Sequence, residues 1–480
     1  MSSGQQLSVE QVSVTAEQAR PDARLRRGET VTWLLLAALA GAVLDQGGFY
    51  AGAQRVLGLA LAAAVAVAMW SAARPVPRTW SVPAVTGFAC AGWALLDGWL
   101  HGAPGSGVRP ALLVVAAGAV IALCRWLDSD HRARLSTAVA MLGCLTGLLG
   151  WYGVASHSPA FALTGQGLWR AMGTLGYPNA AAAFLAVLLV GTVTRQVRNG
   201  SAHWPTALAG TALLVGLGAT LSRGGLLATA AGLAALAALL GPRRVLAALW
   251  APVLGAALAL AGLLPGLAAT AAPHPGLAAG TLAAGLVTGG WAPLAWHWLR
   301  SRMARLPLAF LGCLAVSLTG ALLAATGAGS VLSSLRQARL TLSSADRVAA
   351  WQAVTDVIAR HPVIGAGPGL RTFSWSDPHG GVLVFAYAHN EYLQVLAELG
   401  TIGLVLLLAC LAALLRVLGR CRPRSAGGEA AAAAIAGLAV LCTSALFDFT
   451  GHFPAIVLTA AALVGCAEPA FRPRDSSPTS

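Results

Sequence analysis

The sequence predicts an all-α polytopic membrane protein of about 12–14 transmembrane helices, with one large extracytoplasmic loop that carries an amphipathic helix. The 480 residues are 57% hydrophobic and only 10% charged, whereas about a quarter of the residues in a soluble domain are charged. Apolar runs of roughly 17 to 25 residues recur along the chain, and each is long enough to cross the hydrocarbon core as a helix. Most of the arginines lie in alternate connections between these runs, as the positive-inside rule predicts.

Fourteen apolar runs qualify as spans, although the first is short and two runs are nearly continuous around 221–224. The runs lie at 31–48, 53–72, 80–99, 108–127, 135–155, 177–195, 203–221, 224–240, 245–264, 277–296, 306–327, 390–415, 429–447 and 453–468. They divide the chain into a disordered cytoplasmic tail (1–29), transmembrane helices 1–11 (30–327), an extracytoplasmic loop (328–388), transmembrane helices 12–14 (389–468) and a cytoplasmic C-terminal tail (469–480).

The charged residues predict the orientation and exclude several partners. With the N-terminus inside, every inside connection is basic and several outside ones are not, so we expect a multi-pass protein of the cytoplasmic membrane with both termini cytoplasmic. The same short basic loops account for the net charge of +14 without nucleic acid as a partner. The polar N-terminus contains no signal peptide pattern. The eight cysteines have no metal-ligand spacing, so we expect no disulfide framework, no metal and no other cofactor.

The segment 345–360 of the long loop has the pattern of an amphipathic helix. Its apolar residues recur at three- and four-residue spacing, as at Val348, Trp351 and Ile358. The glycine- and proline-rich segment that follows is predicted to end the helix and to form a turn-rich connector. A helix lying on the outer membrane face fits this pattern.

Arg223 is a candidate anion-binding residue because it occupies the turn between two spans, in "GATLSRGGLLATAAG". Ser222 before it and two glycines after it would allow close backbone approach to an anion, and an arginine fork suits a phosphate. The alternative is an arginine that extends from a hairpin tip to the lipid headgroups. Arg347 lies four residues before Trp351 on the loop helix, where a cation–π contact is the alternative to a functional role.

The stretch "YAHNEYLQVLAELGTIG" contains the strongest catalytic candidate, His389. A histidine with a pKa near neutrality suits proton transfer to or from a hydroxyl. The following Asn390 is a good N-cap for the next span. Glu391 and Glu398 share one helix face with Gln394, and ionisable groups inside a membrane span are functional candidates. For Glu398 the alternative is a buried, hydrogen-bonded packing pair.

Two further motifs give weaker predictions. In "GYPNAAAAFLAVLL", Tyr177 is expected at the outer face, and Asn179 is positioned to cap the sixth span. In "ALFDFTGHFPAIVL", Asp448 and His452 lie at an outside turn. A catalytic Asp–His pair is one interpretation of this motif, and turn chemistry is the one favoured.

From about residue 165 to residue 468 the chain resembles the O-antigen ligase and polymerase family of bacterial membrane glycosyltransferases. The resemblance rests on segments found in family order, which are "RAMGTLGYPNAAAAFLA", "TLSRGGLLA", "ADRVAAWQAVTDVIARHPVIGAGPG", "AHNEYLQVLAELGTIG" and "FDFTGHFPAIVLTAAALVG". The histidine motif of the ligases consists of a histidine, then Asn, Ser or Gln, then nine residues and GxxG, and it is met by His389, Asn390, Gly400 and Gly403. The first 150 residues share only the hydropathic pattern.

The resemblance implies a donor, an acceptor and residue roles. The donor would be a glycan linked to a polyprenyl diphosphate, and the acceptor a sugar hydroxyl on a glycan or on a lipid-linked chain. Arg223 and Arg347 would bind the diphosphate and His389 would act near the acceptor, with Ser222, Asn390, Glu391, Glu398, Tyr177 and Asn179 in support. The family reaction needs no metal.

The chemistry of the residues agrees with a transferase on the outer face of the membrane. Two arginines can stabilise the departing lipid diphosphate, and His389 can act as the base for the incoming hydroxyl. Direct displacement would invert the anomeric configuration, and an opening between helices would admit the polyprenyl tail. A polysaccharide polymerase with the same donor remains an alternative. A lipid-linked glycan flippase, which would have repeated halves and broken helices, is the alternative from another class.

Overall fold

The computed structural model describes residues 9–70, 78–200, 203–302, 345–370, 372–376, 382–421 and 426–467. Fourteen α-helices lie in these ranges, and the predicted all-α polytopic class is confirmed. The α-helices in chain order are α1 Val9–Leu44, α2 Ala51–Trp70, α3 Ser81–Leu100, α4 Val108–Trp126, α5 Ser129–Ser156, α6 Pro178–Asn199, α7 Trp204–Ala219, α8 Arg223–Leu240, α9 Pro242–Ala261, α10 Pro275–Arg302, α11 Ala345–Arg360, α12 Glu391–Leu418, α13 Ala426–Ala445 and α14 Pro454–Cys466.

Ten of the described helices are long and apolar enough to cross a membrane, and two shorter apolar helices, α7 and α14, accompany them. Each predicted span corresponds to a described helix except 306–327, which lies outside the described residues together with most of the first part of the predicted loop. The helix α3, of twenty residues, falls outside the set of ten.

The first helix begins earlier than the sequence analysis predicts. Residues 1–29 are predicted to form a disordered tail, but α1 extends back to Val9. The tail is rich in Ala, Glu, Gln and Arg, which have high intrinsic helix propensity. Such a segment can continue a transmembrane helix without an amphipathic or apolar face. Hydropathy marks the start of the apolar run, and the start of the helix lies further toward the N-terminus.

The helix α6 lies at the centre of the bundle. Its residues 180–190 are all buried, and it packs against α5, α7, α8, α9, α13 and α14. The sequence "AAAAFLAVLLVG" explains this position, because small side chains allow neighbouring helices to approach closely where lipid supplies little hydrophobic driving force. The N-terminus of α6 is thereby held among several other helices.

The helix α12 is broken at Gly400, whose φ of 65° and ψ of −170° are not helical. The connector after α11, residues 361–370, is inserted at the break. Its amides at Ala366 and Gly367 donate to the carbonyls of Ala397 (2.8 Å) and Glu398 (3.1 Å). Backbone groups released by a broken helix must find other partners in a membrane, and the connector supplies them on this side of the break.

The other side of the break is satisfied by the same connector. The amides of Thr401 and Ile402 donate to the carbonyls of Pro362 (3.0 Å) and Val363 (3.3 Å). A Cβ at Gly400 would lie 2.1 Å from the Val363 oxygen. Gly400 of the histidine motif therefore permits close approach of the connector backbone.

The loop helix is confirmed at Ala345–Arg360, with the predicted bounds. Its buried Ala353 and Val354 pack with Phe373, Ala388 and Ala397 in one apolar cluster. The loop helix therefore rests on the segment before α12 and on α12 itself.

Two antiparallel strand pairs that the sequence analysis does not predict lie within the described residues. The strands β1 Ala162–Gly165 and β2 Leu168–Ala171 pair antiparallel within the connection after α5. Gln166 and Gly167 between them both have positive φ, as a two-residue type I′ turn requires. The strands β3 Phe373–Ser376 and β4 Val382–Phe385 form the second pair, within the predicted loop.

Candidate functional site

Four helix N-termini meet around one buried carboxylate, Asp448. Asn179 lies in the first turn of α6, and Ser222 is the N-cap of α8. His389 lies directly before the N-cap of α12, and Phe453 is the N-cap of α14. Helix N-termini carry positive partial charge and unpaired amide donors, so this end of the bundle is electrostatically suited to negative charge.

His389 is held by its backbone and by Asp448. Its φ of 49° places it in the left-handed region, and Asn390 then caps α12 by accepting from the amides of Tyr392 (3.0 Å) and Leu393 (3.1 Å), which confirms the predicted cap. The Nδ1 atom of His389 lies 3.2 Å from Oδ1 of Asp448. The histidine side chain remains 31% exposed, so it is reachable by a substrate.

Asp448 is fully enclosed by donors. Its Oδ2 accepts from the hydroxyl of Tyr177 (2.7 Å) and from Nδ2 of Asn179, and its Oδ1 accepts from the amide of Phe449 (2.9 Å). Burial would raise the pKa of Asp448, but the hydrogen bonds and charge of His389 and the bonds from Asn179 and Tyr177 lower the pKa from its ordinary value. The resulting carboxylate accepts a hydrogen bond from Nδ1–H of His389, which leaves Nε2 as the basic nitrogen of the imidazole.

Asn179 has a different role from the one predicted. The N-cap of α6 is Tyr177, and no side chain caps the helix. The Oδ1 atom of Asn179 instead accepts from Nη2 of Arg170 (2.8 Å) and from Oγ of Ser222 (2.9 Å). Sequence spacing identified a capping position but not the distant donors that occupy the amide.

Tyr177 is likewise more than an exposed aromatic residue. It is half-buried, and its ring stacks on Phe449 (5.4 Å between centroids) and on Phe453 (6.2 Å). The ring of Tyr387 also stacks on that of Phe449, with 4.2 Å between centroids. Phe449 also meets the His389 ring edge to face, at 5.4 Å. Phe449 therefore contacts the rings of Tyr177, Tyr387 and His389.

Arg223 is the first residue of α8, and its side chain is partly exposed. The preceding Ser222 caps the helix by accepting from the amide of Gly225 (3.1 Å). A Cβ at Gly225 would lie 2.4 Å from that of Ala182, and one at Gly224 would lie 3.0 Å from Phe447. The two glycines that the sequence analysis assigns to anion approach therefore also permit the start of α8 to pack closely on its neighbours.

A small crevice separates the start of α8 from Asp448. Its lining residues come from α6, α8 and the end of α13 with the turn that follows, and they are Asn179, Ser222, Gly224, Gly225, Ser444, Phe447, Asp448 and Thr450. The crevice therefore lies between the N-terminus of α8, which carries Arg223, and the carboxylate that pairs with His389.

Arg347 lies in the first turn of α11, and its side chain is outside the described part of the structure. The roles predicted for Arg223, Arg347 and His389 at one site therefore stay predictions.

The polar residues predicted on one face of α12 belong to two separate sets of contacts. The carboxylate of Glu391 lies 3.2 Å from Nδ1 of His452 and accepts from the amide of Gly451 (3.1 Å). Burial would lower the pKa of His452, but the charge and hydrogen bond of Glu391 raise it above its ordinary value. His452 is thus paired with Glu391, and Asp448 with His389, rather than the two residues of the motif with each other.

Glu398 is the buried packing partner that the sequence analysis gives as the alternative. Its Oε1 accepts from Nε2 of Gln394 (2.5 Å), and its Oε2 accepts from the amide of Gly369 in the connector (3.1 Å). Gln394 in turn accepts from the amide of Ala388 (2.9 Å). The arrangement ties the connector and the histidine segment to the body of α12.

Sequence reasoning left Asp448 and Arg170 out of the candidate site. It noticed Asp448 and His452 as a possible pair, but each pairs with a residue of the histidine segment and not with the other. Arg170 lies on strand β2 and donates a hydrogen bond to Asn179. The sequence analysis does not predict this strand. Within the described ranges, no three His, Cys, Asp or Glu side chains are grouped so that they could hold a metal ion.

The fold and the site define a polytopic membrane protein with a histidine–carboxylate pair beside an arginine-bearing helix N-terminus. Residues 276–408 match the family model described as O-antigen ligase. The match runs from α10 into α12 and includes α11, the connector and His389, whereas Asn179, Arg223 and Asp448 lie outside it. It confirms the resemblance to the O-antigen ligase and polymerase family over this region and supports glycan transfer in a membrane as the general activity. No curated protein matches the chain.

Proposed function

We propose that the protein is a membrane glycosyltransferase that moves a glycan from a polyprenyl-diphosphate donor to an acceptor sugar hydroxyl at the outer face of the cytoplasmic membrane. The observation that carries the proposal is the His389–Asp448 pair, at 3.2 Å, next to the N-terminus that presents Arg223. A base and an anion-stabilising group are the two functions that this transfer requires.

His389 acts as the base in this mechanism. Its Nε2 accepts the proton of the acceptor hydroxyl while the oxygen attacks the anomeric carbon of the donor. The bond from that carbon to the diphosphate oxygen breaks, and its electron pair leaves with the polyprenyl diphosphate. Asp448 stabilises the imidazolium that forms, since its carboxylate already accepts from Nδ1. A single displacement of this kind inverts the anomeric configuration.

The departing diphosphate is stabilised at the start of α8. The guanidinium of Arg223 supplies a full charge, and the adjoining helix N-termini supply partial charges where water is scarce. Arg347 is proposed as the second cation, delivered by the first turn of the loop helix. The mechanism assigns every step to side chains of the chain and assigns none to a metal or another cofactor.

A polymerase would use the same donor chemistry and differ only in its acceptor, a second lipid-linked chain. The description of the matched family, O-antigen ligase, and the histidine motif favour the ligase. The flippase alternative predicts broken helices, and α12 is broken at Gly400. The connector fills that break with four backbone hydrogen bonds, so the released groups are not available to a transported substrate.

Genetic complementation tests the proposal. A strain that lacks the gene is complemented with His389→Ala or Arg223→Ala, and surface glycan and lipid-linked precursor are measured. His203→Ala, at the start of α7, and Arg420→Ala, an exposed residue after α12, are the matched controls. The expected result is loss of glycan product with precursor accumulating on the outer face for the first two variants only. Accumulation on the cytoplasmic face would contradict a transferase and support a flippase.

A further inference from the structure

The side-chain amide of Asn179 lies between the two halves of the site and bonds to both. Its Oδ1 accepts from Arg170 (2.8 Å) and Ser222 (2.9 Å) on the side of the arginine helix. Its Nδ2 donates to Asp448 and to the hydroxyl of Tyr177 (3.0 Å) on the side of the histidine. Two donors at one end and a carboxylate at the other permit only one orientation of an amide.

Arg170 fixes this orientation from outside the bundle. It belongs to β2, and its Nε donates to the carbonyl of Thr220 (3.1 Å) while its Nη2 donates to Asn179. Thr220 lies in the turn between α7 and α8, two residues before Ser222. The planar guanidinium can satisfy both acceptors at once, a geometry that a lysine ammonium does not reproduce.

We infer that Asn179 is a positioning residue that couples the diphosphate side of the site to the base, with Arg170 holding it in place; the inference rests on the proposed function. The coupling runs from the N-cap of α8 through the Asn179 amide to Asp448 and then to His389. A displacement of the α8 N-terminus by the bound diphosphate is transmitted to the orientation of the base. Asn179 touches neither substrate in this account and acts through Asp448.

A purely structural role for Asn179 predicts a different outcome from a positioning role. A structural residue would change the amount of folded protein and leave the pH dependence of the remaining activity unaltered. A positioning residue changes the ionisation of Asp448 and hence the pH dependence. The substitution Asn179→Asp separates the two roles, because it keeps the size of the side chain and places a second carboxylate against Asp448.

The sign of the expected shift follows from the charges. The pKa of Asp448 is held below its ordinary value by donors that include Asn179. Two adjacent carboxylates cannot both ionise without a penalty, so the apparent pKa of the pair rises. The acidic limb of the pH–rate profile that reports the ionisation of Asp448 therefore moves to higher pH in Asn179→Asp.

The test uses the full chain in lipid nanodiscs. The donor is the lipid-linked glycan extracted from the deletion strain, and the acceptor is the glycolipid fraction of the same strain. Initial rates are measured from about pH 3 to about pH 9, which covers the range in which carboxylates and histidine titrate. Binding of undecaprenyl diphosphate is measured separately, as a probe of the Arg223 side. Thr192→Val is the matched control, because Thr192 is buried in α6 and bonds only to a backbone carbonyl of its own helix.

Asn179→Ala is expected to lower the transfer rate about 10²-fold and to change the dissociation constant of undecaprenyl diphosphate less than about threefold. Arg170→Lys is expected to resemble Asn179→Ala in direction, and Thr192→Val to keep the wild-type profile. A wild-type pH profile for Asn179→Asp, or losses that only follow the amount of folded protein, would overturn the inference. Wild-type rates for Arg223→Ala and His389→Ala would overturn the proposed function itself, so the two failures are distinct.

Discussion

Two histidine–carboxylate pairs lie at the start of α12, and they differ in what surrounds them. His389 and Asp448 belong to a site cluster that continues through Tyr177 and Asn179 toward the arginine helix. His452 and Glu391 belong to an anchor cluster, which continues through Gln394 and Glu398 to the connector. The site cluster consists of Tyr177, Asn179, His389 and Asp448, and the anchor cluster consists of Glu391, Gln394, Glu398 and His452.

The hydrogen bonds of the two clusters separate polar groups that are suited to catalysis from those that stabilise the membrane fold. In the anchor cluster, both oxygens of Glu398 are occupied by an amide side chain and a backbone amide. In the site cluster, the histidine is bound at Nδ1 and is partly exposed, which leaves Nε2 for a substrate. A polar residue whose hydrogen bonds are saturated stabilises the fold, whereas one with an oriented and accessible atom is suited to catalysis.

The largest expected effect is at the break in α12, which is filled by the connector that the anchor cluster binds. Gly400→Ala would place a Cβ 2.1 Å from the Val363 oxygen at a φ of 65°. Backbone strain and overpacking together cost about 3–5 kcal/mol, so we expect little folded protein in the membrane. Detergent-resistant folded protein is measured by fluorescence size-exclusion chromatography. The control is Gly58→Ala in α2, where a Cβ meets nothing within 4 Å. Equal amounts of folded protein for both variants would contradict the role of the break.

The next effect belongs to the site cluster. Asp448→Asn removes the charge that balances an imidazolium at His389, and we expect the transfer rate to fall about 10²-fold. Because the wild-type pKa of Asp448 is lowered, its stabilising ionisation is present above about pH 4 and is lost only as the pH falls through the lower folded value. The wild-type rate should therefore show no Asp448 limb at neutral pH. Rates within about twofold of wild type for Asp448→Asn would remove the carboxylate from the mechanism.

The anchor pair should influence stability rather than rate. The pKa of His452 is raised in the fold, so its contribution to stability is full below about pH 6.5 and declines as the pH rises through the higher folded value. We expect the melting temperature of the wild type to fall by a few degrees across that range, and His452→Gln to flatten the dependence. Thermal unfolding in nanodiscs measures both. An unchanged slope in His452→Gln would show that this pair carries no charge in the fold.

The smallest expected effect is at Tyr177. Tyr177→Phe removes the hydroxyl that donates to Asp448 at 2.7 Å but keeps the stacked ring. Asp448 retains Asn179 and His389 as donors, so we expect a rate loss of roughly tenfold or less, in line with one hydrogen bond to a charged group. The initial transfer rate at saturating donor measures it. A loss equal to that of Asp448→Asn would mean that the hydroxyl itself contacts the substrate.

The sequence predicted those features that depend on local pattern. The bounds of the loop helix, the N-cap at Asn390 and the apolar helices follow from periodicity, capping chemistry and run length. The candidates His389 and Arg223 were recognisable because polar residues are conspicuous at the ends of apolar runs.

The features that the sequence did not predict depend on contacts between distant segments. Asp448 lies 59 residues from His389 and 269 residues from Asn179 along the chain. The break at Gly400 interrupts a run whose hydropathy continues unchanged, because the break depends on the connector that fills it. The same holds for Arg170, whose short strand lacks the length that would mark it in sequence.

We propose that His389, and not its neighbour His452, is the base. A single comparison of initial transfer rates tests this, between His389→Gln and His452→Gln at equal amounts of folded protein and equal donor. We expect the rate of His389→Gln to be at least about 10²-fold below that of His452→Gln. Equal rates, or a slower His452→Gln, would show that His389 is not the base.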